Sequence, residues 1–466
     1  MFHDRDSYFN QTAHLLLQPN SARLAFVGPN GAGKTAVATQ LLHDPRIQKR
    51  FDRLLYLSCE ALPNTDAVIG NLAILLGVPP AAGIRQAVIA ELSKGKRTLL
   101  VLDDVDANWD RDDRTERDTI PKFFGSHAMA HSLSLVVTTT GDYLPESVQW
   151  SNTNLTYLRR FSRESTTTLL EITAERRMTR EEKDIATPLL DVFDGMPLAV
   201  TLFAQLMRLG HSVPKLIDRW NRDKVEHKTK LSGVETGLET SMNLSISFLL
   251  STSGGLEAMQ LLSMCSMLPD GLQAGVFDRI RPAFKSISRA RDTLLAYAFV
   301  SIGAHGAVKA PVEIRNFIRK HHPAQPAQRE ALYSIYFDIA SQLPSDTKDD
   351  FMQRSAVAMP EMWNLRSLLI EVVAQPSHEV VTAVIYFTDF WYQLWIPMLE
   401  LPVALCPHIE QHRQWEQVCV RAIHRSWLRK IDSDPFYNPV LKYLWYYLGR
   451  SCHDIANGFG GFIRLA

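Results

Sequence analysis

"FVGPNGAGKTAVATQLL", Phe26–Leu42, decides how this chain is read. An apolar run ends in Gly28, and Gly28-Pro29-Asn30-Gly31-Ala32-Gly33-Lys34-Thr35 satisfies the G-x-x-x-x-G-K-[ST] spacing in full before a helical stretch begins. Glycines at these places let backbone N–H groups turn inward around phosphate oxygens, and the start of the following helix adds partial positive charge. Lys34 supplies a cation for the β- and γ-phosphates, and the Thr35 hydroxyl is a Mg²⁺ ligand. The stretch predicts a site for ATP or ADP with Mg²⁺; a tight turn with an incidental Lys-Thr is the structural alternative.

Working outward, short β-branched runs alternate with helical stretches: Arg23–Gly28, Arg53–Cys59, Thr98–Asp104, Leu133–Thr140 and Leu155–Leu158. That alternation predicts an α/β core over residues 21–160, with a five-stranded parallel sheet covered by helices and an N-terminal arm (1–20) before it. A Mg²⁺ held by a hydroxyl needs an anionic partner at another strand end, and "TLLVLDDVD" supplies one. Asp103 is the expected metal partner of Thr35, while Asp104 or Asp106 could orient an attacking water. A helix N-cap is the alternative role for all three. In "VVTTTGD", Thr138 and Thr139 are candidates to hydrogen-bond a γ-phosphate, against the plainer reading of β-branched residues ending a strand.

After Arg160 helical periodicity takes over. Residues 161–230 read as a helical lid, with "TREE" at Thr179–Glu182 as a capping box. Residues 231–325 read as a winged helix, because "YAFVSIGAHGAVKAPVEIRNFI" sets two short apolar runs around "GAHGA", a hairpin beside helices. Residues 326–466 are helical, rich in Trp and Tyr, and are expected to begin a TPR-like array that the chain does not finish. Within them Val380–Leu399 has the length of a membrane span. Asp389 sits in its middle, and Gln393 and Pro397 further break the pattern, so a buried helical segment is expected.

A chain of 466 residues predicts roughly three domains. Lys plus Arg and Asp plus Glu each number 50, so no basic excess points to nucleic acid. Cys59, Cys265, Cys406, Cys419 and Cys452 lack CxxC spacing, which suits reduced core thiols in a cytoplasmic protein. The acidic N-terminus "MFHDRDSYFNQTAHLLLQPNSARL" lacks the layout of a secretory signal.

With these elements in order, the chain resembles the STAND NTPases, the class containing the NB-ARC modules of NOD-like receptors, and in particular the fungal branch of novel STAND NTPases. "DGMPLAV", Asp194–Val200, is similar to the family's GxP motif, which implies that Pro197 contacts base and ribose from the lid. "LLSMCSMLPDGL" resembles the start of its winged helix, and "APVEIRNFIRKHHPA" its closing helix. The likeness covers about residues 1–325. It implies a switch in which ADP clamps core, lid and winged helix together, while exchange for ATP opens them and permits self-association. Two departures stand out. Thr140 occupies the place where relatives commonly carry Arg, which implies weak hydrolysis or weak sensing of ATP, and the winged-helix His that reads the ADP β-phosphate has no clear counterpart. Lys309 and Arg315 are nearby cations, read here as surface residues.

Competing classes fit less well. "LSGVE", Leu231–Glu235, echoes an ABC signature but trails Asp103, the wrong order for that family. A small-molecule kinase needs a basic lid, and "ERRMTREEK" is mixed in charge. A non-hydrolysing scaffold, binding a protein partner through the C-terminal helices, remains the rival from another class. No nucleic-acid or membrane partner is expected.

Overall fold

The computed structural model describes residues 5–79, 83–106, 123, 132–141, 148–151, 157–228, 236–303, 306–343, 351–393, 401, 404 and 405. Cys406, Cys419 and Cys452 lie outside them, as do Leu155 and Thr156 of the fifth predicted strand and Pro397. The described residues form two compact units, one of residues up to Val78 and from Gly83 to Leu332, the other of Pro79 and the residues from Tyr333 onward.

The first unit is built on a parallel sheet of four strands: β1 (Arg23–Val27), β2 (Arg53–Ser58), β3 (Thr98–Asp103) and β4 (Leu133–Thr139). Their order is β1-β4-β3-β2. Every residue of β3 and β4 is buried, as near-continuous apolar runs in the middle of a parallel sheet require. The expected fifth strand is reduced among the described residues to an isolated parallel bridge between Tyr157 and Val27, so the sheet has four strands rather than five. Register sets the site. Val27 pairs with Thr139 and Leu102 with Val137, so the loop leaving β1 and the carboxylate ending β3 flank the end of β4. Ligands of open parallel sheets bind at this carboxyl end.

Leu24, Phe26, Val37, Leu41, Leu99, Val101 and Val136 make one buried cluster with Leu16 of the first helix. That helix, Asp6–Leu17, is no loose arm: Tyr8 meets Phe26 edge to face with centroids 5.6 Å apart.

Beyond the sheet come helices Arg163–Thr173, Arg180–Phe193, Pro197–Arg208 and Val213–Lys228. Thr179 and Glu182 close the expected capping box reciprocally. Helices Gly237–Leu250, Gly255–Ser266, Ala274–Ile280 and Ile287–Ala296 follow, then an antiparallel pair, β5 (Ser301–Ile302) and β6 (Val308–Lys309), and helix Val312–His321.

In the second unit, Tyr336 Oη and Asn364 Nδ2 both donate to Glu361 Oε2, at 2.7 and 3.1 Å. Helix His378–Gln393 buries Phe387, Phe390 and Trp391, with Trp391 5.0 Å from Trp363. Asp389 is buried among them. Among the described residues no helix is long and apolar enough to cross a membrane.

Candidate functional site

Gly31 and Gly33 take φ of 79° and 90°, the left-handed region that turns the loop back on itself before the helix Lys34–His43 starts. Ala32 N donates to Pro29 O at 3.2 Å, and Gly28 N to Thr139 O at 3.2 Å, which ties the loop to the end of β4. Asn30 and Thr35 face solvent, whereas the Lys34 side chain is buried. Lys34 Nζ donates to Gly28 O at 2.8 Å and Pro29 O at 3.2 Å. Burial lowers the Lys34 pKa, and Asp106, Glu313, Asp104 and Asp103 oppose that shift.

Asp103 gathers hydroxyls. Thr35 Oγ1 donates to its Oδ1 at 3.0 Å, Thr138 Oγ1 donates to the same oxygen at 2.6 Å, and Tyr56 Oη donates to Oδ2 at 2.8 Å. Tyr56 as a residue is 39% exposed, yet its hydroxyl sits against Asp103, so burial of that group first and then the carboxylate's charge push its pKa up. A hydroxyl and a carboxylate oxygen this close are hard ligands of the kind Mg²⁺ takes. Among the described residues no group of three or more His, Cys, Asp or Glu side chains could hold a metal by itself, so a cation here would lean on Thr35, Asp103 and the phosphates it accompanies. The donor set fits a nucleotide with Mg²⁺.

Asp104 and Asp106 divide their work. Thr139 Oγ1 donates to Asp106 Oδ1 at 2.5 Å, and Thr140 N and Gly141 N donate to the same oxygen at 2.8 and 3.3 Å, so Asp106 braces the turn after β4. Both threonine hydroxyls proposed for a γ-phosphate are thus given to aspartates in this arrangement, Thr138 to Asp103 and Thr139 to Asp106. Asp104 leaves the strand at φ 59° with its N–H on Thr138 Oγ1 at 2.8 Å. Burial, then the hydrogen bond and charge of Asp106, push its carboxyl up to about 7, with Asp103 adding and Lys34 opposing. Burial also raises Asp106, but hydrogen bonds from Asp104, Thr139, Thr140 and Gly141 outweigh it and hold Asp106 low.

These directions give a sign. A carboxyl raised from 3.8 to about 7 contributes stability that is full below pH 3.8 and declines as pH rises toward 7, because the unfolded chain releases the proton first. Asp106 contributes in the opposite sense, losing stability as pH falls. Asp104→Asn imitates the protonated form and tolerates the positive φ. It is expected to raise the unfolding temperature relative to the wild type, with the gap widening from pH 5 to pH 8. Thermal melts at the two pH values check this, and a gap that stays constant removes the assignment.

Residues far along the chain also reach the loop. Leu198 N, next to Pro197 at the first turn of its helix, donates to Gly31 O at 3.4 Å. A Cβ built on Gly31 would lie 3.3 Å from Met196 Sδ, 3.4 Å from Leu198 Cβ and 3.5 Å from Leu238 Cδ2. Pro197 therefore stands beside the loop. Glu313 Oε1 accepts from Gly31 N at 2.8 Å across 282 residues of sequence. Arg315, expected at the surface, is instead 3% exposed and ion-paired with Glu60 just past β2. Burial, then Arg319, lower its pKa to about 9, which still leaves it charged at neutral pH. The reading of Arg315 failed because a helix period shows which face is buried, not which distant carboxylate meets it there. Arg5 was also missed: its Nη2 donates to Ala32 O at 3.4 Å and Arg159 O at 2.5 Å, and its guanidinium lies 4.9 Å over Phe161.

A parallel sheet whose first strand runs through a glycine loop into a helix, with a Thr–Asp oxygen pair beside it, defines a P-loop NTPase core. The sequence agrees: residues 5–175 match the NB-ARC domain, the P-loop nucleotide-binding module of STAND-class NTPases. A probable disease resistance protein of Arabidopsis thaliana is 39% identical over 87 residues, 17% of this chain and 11% of that protein. Disease resistance RPP13-like protein 4 of the same plant is 29% identical over 140 residues, 29% of this chain and 16% of that protein. The chain thus spans only a small part of the length of these curated relatives. Among solved structures, a STAND protein with a tetratricopeptide repeat sensor from Pyrococcus horikoshii aligns over 96% of this chain and 61% of its own, with 13% identity and a TM-score of 0.48. The Walker-type ATPase of Pyrococcus abyssi aligns over 68% of this chain and 96% of its own, with 12% identity and a TM-score of 0.35.

Proposed function

We propose that this chain is an ATP/ADP switch of the STAND class, in which nucleotide exchange governs domain opening and self-association, with slow or no hydrolysis. The observation that supports this most is the crowding on Gly31, where Leu198 N, the Met196 side chain, Leu238 and Glu313 converge on one residue of the phosphate loop. Residues 161–230 would act as lid and 231–325 as winged helix, so whatever fills the loop alters the contacts of both. A ligand shifts such an equilibrium only by its difference in affinity for the two arrangements.

The bound group would supply phosphate charge and a divalent cation. Gly28–Thr35 would hold the phosphates, Lys34 would turn from its carbonyls toward them, Thr35 and Asp103 would take the cation, and Pro197 would face base and ribose. Asp104, with its raised pKa, is the better placed of the two acids to accept a proton from water, since Asp106 is occupied in bracing the turn at Thr139–Gly141. Thr140 in place of a cation leaves developing phosphate charge without a side-chain partner at that position, which supports slow turnover. The helices from Pro326 onward are read as a TPR-like surface for a protein partner, and the cytoplasm as the site of action.

The test combines two measurements on gently purified chain. Released nucleotide is identified by chromatography, and mass is measured by light scattering with ADP and with a non-hydrolysable ATP analogue. Retained ADP and a larger particle with the analogue are expected. An empty chain that resists loading, with one mass throughout, would favour the non-hydrolysing scaffold.

A further inference from the structure

The carboxylate that ends β3 is held from both neighbouring strands. Thr138 Oγ1 on β4 accepts from Asp104 N at 2.8 Å, so its one proton is committed to Asp103 Oδ1 at 2.6 Å, and Thr35 Oγ1 donates to the same oxygen at 3.0 Å. The second oxygen, Oδ2, accepts from Tyr56 Oη at 2.8 Å. Tyr56 belongs to β2, the edge strand of the sheet, where its partner across the ladder is Val101, while Ser58 stands opposite Asp103. Residues two apart on a strand share a face and lie about 6.6 Å from each other. Tyr56 is thus on the face of Asp103 but one pleat back, and a long side chain ending in a donor bridges that gap. As a residue it is exposed, so it adds little to the core, and its hydroxyl is the part with a defined partner.

We infer that Tyr56 is a positioning residue for the divalent cation that accompanies the nucleotide: its bond to Oδ2 fixes the plane of the Asp103 carboxylate and keeps Oδ1 turned to Thr35. This role rests on the nucleotide-switch reading and adds to it a part for the edge strand. Two donors on one oxygen leave a carboxylate able to turn, because the last torsion of an aspartate is broad and roughly two-fold. A donor on the other oxygen stops that turn. Groups that orient a metal ligand without touching the metal typically account for about 10–100-fold in metal affinity. A tyrosine that only satisfied a buried acceptor would act differently, since an oxygen left without its donor weakens the fold with or without the cation.

The test measures ADP affinity by calorimetry from excess EDTA to saturating Mg²⁺ for wild type, Tyr56→Phe, Tyr56→Leu and Lys34→Ala, with a melting temperature for each chain. Tyr56→Phe keeps the ring and removes the hydroxyl. It is expected to need about tenfold more Mg²⁺ than wild type to reach half of the metal-dependent gain in affinity, a shift larger than any change in its affinity under EDTA. Tyr56→Leu should move the requirement in the same direction, which guards against an effect peculiar to phenylalanine. A Tyr56→Phe chain whose ADP affinity falls by one factor with and without Mg²⁺, or whose Mg²⁺ requirement is less than about threefold above that of wild type, overturns the assignment whatever its melting temperature. A Tyr56→Leu chain that needs no more Mg²⁺ than wild type does so as well. If Mg²⁺ fails to strengthen ADP binding by wild type, the Tyr56 assignment falls, and loss of that binding in Lys34→Ala leaves the phosphate-loop reading standing. Equal binding by Lys34→Ala, or no binding by wild type, overturns both readings.

Discussion

A Lys34→Ala chain is expected to leave purification without ADP or ATP and to resist loading with either. The side chain is 8% exposed and its ammonium ends among the carbonyls of Gly28 and Pro29, within the fields of Asp103, Asp104, Asp106 and Glu313. Burial disfavours that charge, and the carboxylates offset the cost. Removing the lysine leaves four acidic groups facing the place where phosphates would sit, with no lysine between. Hydrogen bonds to charged groups contribute about 1.5–3 kcal/mol each, so the loss of two should lower affinity by more than about a hundredfold. Chromatography of nucleotide released by denaturation reads this directly. A Lys34→Ala chain that retains as much ADP as wild type would end the phosphate-loop assignment, provided its melting temperature shows it folded.

That assignment was legible because the loop is local: eight consecutive residues, a strand before and a helix after, all within reach of spacing rules. The four strands β1–β4 were legible for the same reason, and their errors are instructive. Each was read one residue too long at its carboxyl end, by Gly28, Cys59, Asp104 and Thr140. Three of these four begin the site. Gly28 opens the phosphate loop, Asp104 turns to φ 59°, and Thr140 N is captured by Asp106. Apolar and β-branched character continues a strand on paper, whereas the backbone leaves the ladder where the chemistry starts. Asp103 was legible as the carboxylate ending an apolar run, but its three hydroxyl donors were not, since Tyr56 and Thr138 come from neighbouring strands whose order no periodicity reveals. Glu313 was invisible. It stands in a stretch that was read only as a closing helix, and nothing in "PVEIRN" marks a partner 282 positions away.

Gly195→Ala is expected to lower stability sharply and to weaken nucleotide binding although the residue touches no phosphate donor. Gly195 has φ of 64°, and a Cβ placed there would meet Phe161 O at 2.2 Å and Phe161 N at 2.9 Å. Those are backbone atoms, so no side chain can swing aside. Phe161 N donates to Gly195 O at 2.9 Å, and this bond joins the end of the sheet unit to the turn that leads into Met196, Pro197 and Leu198. An alanine adds roughly 1–2 kcal/mol for the left-handed backbone and about 1–3 kcal/mol for the forced displacement. The total, on the order of 3 kcal/mol, is large beside the margin of most domains. The functional consequence follows from position. If Phe161 and Gly195 part, Leu198 N loses its place on Gly31 O and Met196 leaves the loop, while Gly28–Thr35 keeps its own geometry. Thermal unfolding should fall and ADP affinity should drop with it, whereas Asp194→Asn, which keeps a residue tolerant of its φ of 50° and only weakens a solvent-exposed pair with Arg160, should leave both nearly unchanged. Wild-type affinity in a destabilised Gly195→Ala chain would separate the segment at Met196–Leu198 from nucleotide binding altogether.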